Sequence, residues 1–171
     1  MDRYPRTNVS RARAISGLER IWLVADRLDP PFVNQLVLEA EHPSAFELEA
    51  WRDAMERTAM VWPASRLRQR GLLHGSYWAV ADRCPPVRVV QGDLWDGHGP
   101  VGADFLTDRL HPVEGPTVEF LLVDGPIARV ILRTHHACLD GRATLQLAHA
   151  LFAARRGEDV SPVAAGPDYD A

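Results

Sequence analysis

The stretch that decides the fold runs Thr117-Val118-Glu119-Phe120-Leu121-Leu122-Val123, then Asp124-Gly125-Pro126, then Ile127-Ala128-Arg129-Val130-Ile131-Leu132-Arg133-Thr134. Two mostly apolar runs joined by a Gly/Pro turn read as a β-hairpin. Few polar residues interrupt either run, so both strands are expected in the middle of a covered sheet. Directly after them come His135-His136-Ala137-Cys138-Leu139-Asp140-Gly141. A helix is predicted over 141–156, with Leu147, Leu151 and Ala154 on one face and Leu145, Ala148 and Phe152 widening it. Arg155 and Arg156 complement its negative end, and Gly157 follows as a C-terminal cap.

Upstream, Ser16 stands three residues before Glu19, the spacing of a capping box, and Leu18, Ile21, Trp22 and Ala25 follow at helical spacing. A first helix is expected over 16–27, ended by Asp29-Pro30-Pro31. Phe32 to Glu41 reads as a strand. Ser44 and Glu47 repeat the capping spacing before Leu48, Trp51, Met55 and Ala59, which predicts a second helix over 44–61. Segments 74–82 and 86–91 read as strands, and 92–116, rich in Gly, Asp and Pro, as loop with one short helix at most. The order helix, strand, helix, several strands, helix implies an α/β two-layer sandwich: a mixed β-sheet with helices mainly on one face. Residues 1–14 read as a flexible arm, 15–157 as the folded lobe and 158–171 as a C-terminal linker or tail.

Composition narrows the function classes. A chain of 171 residues fits one domain, and 46% hydrophobic with 25% charged residues is ordinary for a globular protein. All 19 basic residues are Arg, but they are spread along the chain and the net charge is -4, so no basic stripe for nucleic acid is present. No apolar run reaches membrane-spanning length and the start lacks a signal-peptide core, which makes a cytoplasmic protein the expectation. Cys84 and Cys138 form neither a disulfide framework nor a CxxC metal knuckle.

Chemistry concentrates in 135–141. Side chains alternate across a strand, so adjacent histidines at a strand end point in opposite directions. They are a poor pair for chelating one metal, and no metal is implied. One ring is expected to face the core and the other an opening. Asp140 is placed to cap the helix that follows. Cys138 reads as a small core residue, and the five Trp as core more than binding platform. No nucleophile elbow of a Ser-His-Asp hydrolase is present.

The segment resembles the HHxxxDG signature shared by nonribosomal-peptide condensation domains, wax ester synthases, polyketide-associated acyltransferases and the chloramphenicol acetyltransferase group. Other stretches resemble condensation domains in the expected order. These are 16–28 for the opening helix, 33–41 for the first strand, and Pro63-Ala64-Ser65-Arg66-Leu67-Arg68 for the second motif. Leu110-His111-Pro112 with Gly115-Pro116 resembles the approach to the hairpin, and Tyr169-Asp170-Ala171 the end of the first lobe. The resemblance implies a condensation-like N-terminal lobe that transfers an acyl group from a carrier-protein or coenzyme A thioester to an amine or alcohol. The pantetheine arm arrives with the substrate, and no cofactor is bound.

It implies that His136 lies at the reacting centre, either as a base taking a proton or as a group that positions the nucleophile or stabilises charge. It implies structural roles for His135, for Asp140 in an ion pair with an Arg, for which Arg66 is the best candidate and Arg68 its rival, and for Gly141, which lets backbone approach the substrate. Trp62 departs from the pattern, standing where the family carries a histidine. Absence of the second lobe implies a partner: a complementary C-terminal lobe, or identical subunits with sites between them. An acyl or peptidyl carrier protein is a further candidate partner. A carrier-docking module that keeps the motif without catalysis is the alternative from another class.

Overall fold

The computed structural model describes residues 13–27, 32–40 and 46–161. Its elements in chain order are β1 (Arg13–Ala14), α1 (Gly17–Ala25), β2 (Val33–Glu39), α2 (Leu48–Val61), β3 (Leu67–Arg70), β4 (Tyr77–Val80), β5 (Val87–Gln91), β6 (Val118–Asp124), β7 (Arg129–His135) and α3 (Gly141–Arg155). The chain is α/β, and its main sheet runs β2-β7-β6-β5. Strand β7 runs antiparallel to both β2 and β6, and β5 joins β6 in parallel, so the sheet is mixed.

The expected hairpin is β6–β7. All seven residues of β7 and six of the seven in β6 are buried, as strands covered on both faces are. Alternation sends Val118, Phe120, Leu122, Val130 and Leu132 to one face, where Trp51 and Met55 of α2 and Leu147 and Leu151 of α3 pack on them. Leu121, Val123 and Ile131 point the other way, onto Trp95, Ala103 and Leu106. The second face is therefore covered by the 92–110 segment, with α2 and α3 both on the first.

Two arginines of β7 hold that segment down. Arg133, fully buried, pairs with Glu119 opposite it and donates to the carbonyls of Phe105, Leu106 and Asp108. Arg129 donates to the carbonyls of Trp95 and Asp96, bonds Glu39 at 3.2 Å, and lies 5.2 Å over the Trp95 ring. A guanidinium spreads five donors over three nitrogens in a rigid plane, so it reaches separated loop carbonyls that the single nitrogen of a Lys does not span.

A second, three-stranded antiparallel sheet, β1-β4-β3, lies beside the main one; β4 falls within the 74–82 segment read as a strand, but its place in a separate sheet is not foreshadowed by the sequence pattern. It buries Ile15, Leu67 and Trp78 against Ala137, which brings it up to the histidine segment.

Helix limits are set locally. Ser16 Oγ accepts from the Glu19 amide and Glu19 Oε2 accepts from the Ser16 amide, so the capping box at α1 forms as the spacing predicts. α2 begins later than the sequence implies: Glu47 is its N-cap and makes no side-chain cap bond, while Ser44 lies outside the described residues. Gly157, at φ +79°, takes the left-handed turn that ends α3. The proline stop at 29–31, residues 1–12 of the arm read over 1–14, and residues 162–171 of the tail read over 158–171, with Tyr169-Asp170-Ala171, also lie outside the described residues, while Arg13 and Ala14 of that arm form β1 on β4. Among the described residues no helix is long and apolar enough to cross a membrane.

Candidate functional site

The two histidines part at the end of β7. His135 is the last strand residue and is fully buried. Its amide donates to the Thr117 carbonyl, and its own carbonyl accepts from Cys138 and Leu139, which closes the turn into α3. Nδ1 accepts from the Ala137 amide at 3.2 Å, so the proton of the neutral ring sits on Nε2. Nε2 lies 3.6 Å from Asp26 Oδ2 at the end of α1, an electrostatic contact longer than a hydrogen bond. Burial holds this imidazole below its ordinary pKa; the Asp26 carboxylate opposes that and His136 adds to it.

His136 has left the strand. Its amide still pairs with the Phe32 carbonyl, but its side chain lines an open groove of about 360 Å³ with Leu18, Glu19, Trp22, Leu139 and Asp140. The ring packs against Trp22 at 4.6 Å and stacks near Phe32 at 6.4 Å between centroids, which fixes its plane.

Behind the ring lies a polar cluster. Asn34 Nδ2 is 2.7 Å from the Leu139 carbonyl and 3.2 Å from His136 Nδ1. The Thr134 and Thr144 hydroxyls are 2.7 Å apart, and the Thr144 hydroxyl donates to the Asp140 carbonyl. Asn34 and Thr134 face each other across β2 and β7, so the cluster is built by strand register as well as by the motif.

Asp140 caps α3: its Oδ1 accepts from the Ala143 amide at 2.7 Å and its side chain is exposed. The expected ion pair with Arg66 is not formed. Arg66 ends a short 3-10 turn before β3, and its guanidinium donates to the Ala81 carbonyl at 3.2 Å. It lines a separate small cleft with Arg68, Arg83 and Cys84, so neither arginine of the second motif serves Asp140. A backbone acceptor on the neighbouring strand satisfies the guanidinium, while the carboxylate finds its partner in the helix start. The Cβ of a residue at Gly141 would meet nothing within 4 Å, so packing does not require the glycine.

Cys138 is no nucleophile here: burial pushes its thiol up to about 12. Trp62 is buried among the α2 and α3 core residues, and its indole N–H has no acceptor among the described residues. Among the described residues no three His, Cys, Asp or Glu side chains gather where they could hold a metal.

Sequence reasoning passed over Asn34, Asp26 and the specific role of Trp22. One signal was present. Asn34 shares a strand face with Leu36, and a polar residue on an inward face calls for a partner.

Helix α1 leaves much of its apolar face exposed. Leu18, Ile21 and Val24 are 62%, 60% and 56% exposed, and no residue of the helix is fully buried. The helical spacing of apolar residues is real, but its face borders the groove and continues away from it.

Comparison with known proteins finds the same fold in solved structures. No protein-family model matches the sequence, and no curated protein matches it. Solved structures do match. The condensation domain of the monacolin K polyketide synthase MokA is 11% identical with a TM-score of 0.67, covering 89% of this chain and 36% of that one. A variant of the starter condensation domain of rhizomide synthetase RzmA, solved in complex with C8-CoA, is 16% identical with a TM-score of 0.62, covering 90% and 38%. The nonribosomal peptide synthetase FmoA3, bound to α-methyl-L-serine-AMP, is 16% identical with a TM-score of 0.67, covering 93% and 17%. The chain spans about two fifths or less of the length of each of these proteins.

Proposed function

We propose, on the premise that this chain has the fold of part of a condensation domain, that it is one lobe of a condensation-type acyltransferase. The reaction is acyl transfer from a coenzyme A or carrier-protein thioester to a nucleophile such as an amine or alcohol. The observation that carries the reading is the division between the two histidines: His135 is locked in the core, while His136 stands in the groove with its plane set by Trp22.

A groove open on one side leaves water in contact with the reacting groups, which weakens every polar contact meant to steer them. Closure by a complementary lobe, or by a second copy, restores a dry site. Leu18, Ile21 and Val24 give that partner an apolar strip contiguous with the groove. The starter condensation domain in complex with C8-CoA supports an acyl thioester as the donor class. His135, Asp140 and Gly141 shape the turn that carries His136, and Arg66 has no part at the groove.

A second reading, a docking module for a carrier or partner protein, draws support from the missing Asp140–Arg66 pair, since a site released from catalysis no longer needs it. Thiol release from a panel of acyl-coenzyme A and acyl-pantetheine thioesters separates the two readings. The chain is assayed alone and with a complementary condensation lobe. Catalysis requires release in the mixture that depends on the acceptor; binding without release in any mixture favours the module.

A further inference from the structure

We propose that Asn34 is the positioning residue for His136: it donates to Nδ1, so the neutral ring carries its proton on Nε2 and meets the reacting centre as a hydrogen-bond donor. The proposal deepens the acyl-transfer reading above and rests on it for its chemical meaning.

The orientation of the Asn34 amide follows from its neighbours. The Leu139 carbonyl, 2.7 Å from Nδ2, can only accept. Turning the amide over would set its oxygen against that carbonyl, two acceptors at contact distance. The nitrogen therefore faces Leu139 and, with its second hydrogen, His136 Nδ1 at 3.2 Å. The two threonine hydroxyls are farther, each 3.4 Å from Nδ2, and are the weaker acceptors of its hydrogens. Were the proton on Nδ1, two donors would face each other. Nδ1 is thus the acceptor and Nε2 the donor, and no described residue takes the Nε2 proton.

The consequence is chemical. In amide formation the amine lone pair attacks the thioester carbonyl carbon and the C=O π pair moves to oxygen. An Nε2–H donor stabilises that oxyanion. Collapse re-forms C=O, the C–S bond breaks, and the proton lost by the attacking nitrogen ends on the departing sulfur. Amine and thioester become amide and thiol, and the imidazole neither gains nor loses a proton overall. An alcohol is too weak a nucleophile without a base to take its proton, and a ring protonated at Nε2 offers none there. The geometry therefore points to an amine acceptor.

Long-range proton–nitrogen NMR of the 15N-labelled 171-residue chain reads the tautomer without any turnover. The expected spectrum of neutral His136 has a pyridine-like Nδ1 and a protonated Nε2. In Asn34→Asp the carboxylate accepts from Nδ1–H and the pattern reverses. A wild-type ring protonated on Nδ1 overturns the proposal, and this arm needs no variant to fold. In the assembled protein, a small primary amine is expected to be acylated about 10² or more faster than its alcohol analogue, the scale a missing base implies. Alcohol turnover matching the amine overturns the assigned acceptor class. Absence of turnover with the expected spectrum rejects the acyl-transfer reading while the tautomer stands.

Discussion

Nε2 of His135 lies 3.6 Å from Oδ2 of Asp26, and this contact ties the end of α1 to the end of β7. Asp26 also accepts from the Phe32 amide at 3.0 Å, so one carboxylate fixes the helix end, the approach to β2 and the buried imidazole. The turn that presents His136 is built on this junction.

Its pH dependence has a definite sign. Burial lowers the folded-state pKa of His135, so the unfolded chain binds the extra proton more readily. The neutral ring's contribution is complete above the unfolded value of about 6.5 and is lost as pH falls from there through the lowered folded value. Urea midpoints between pH 8 and pH 5 are expected to drop on the acid side, and His135→Gln is expected to flatten that part of the curve. An unchanged slope in the variant contradicts the assignment.

Arg133 and Glu119 are both buried, and removing one leaves the other charge without its partner. Arg133→Met is expected to cost about 3–5 kcal/mol in urea denaturation. Arg88 also bonds Glu119, at 2.7 Å, so the carboxylate is not stranded and the lower end of that range applies. Replacing both Arg133 and Glu119 with apolar residues is expected to cost less than the sum of the two single changes. The 92–110 segment, losing its carbonyl donors, is expected to exchange its amides faster in Arg133→Met.

The Asp140 carboxylate acts as a helix cap. Asp140→Ala is expected to lose about 1 kcal/mol, and Asp140→Asn much less, because asparagine caps equally well. A double-mutant cycle with Arg66→Ala is expected to show coupling near zero, within about 0.3–0.5 kcal/mol of additivity. Coupling well above that range restores the ion pair that the family resemblance implies and contradicts the site described here.

Much of this was legible in the sequence, for identifiable reasons. The β6–β7 hairpin and α3 announce themselves because buried strands need unbroken apolar runs and a helix needs a stripe with a period of 3.6 residues. The opposed histidines followed from alternation. Other features rest on contacts that no local pattern encodes. Asn34 meets His136 only because β2 pairs with β7 in a register joining residues about a hundred positions apart. Strand β4 lies inside the 74–82 segment read as a strand, but its pairing with β1 in a separate sheet joins residues far apart in the chain. Periodicity showed that α1 has an apolar face but not what it faces. The Arg66 pairing was carried over from the motif, and the Ala81 carbonyl that takes its place is a backbone group that residue identity does not reveal.

The central claim is that the His136 ring stands at the reacting centre. The most direct measurement is acyl-thioester turnover by the assembled protein, with His136→Ala compared with the unaltered chain at matched thermal stability. A fall of about 10² to 10³ with folding intact, the scale of one lost oxyanion donor, is the expected result. Equal turnover in the two proteins contradicts the account.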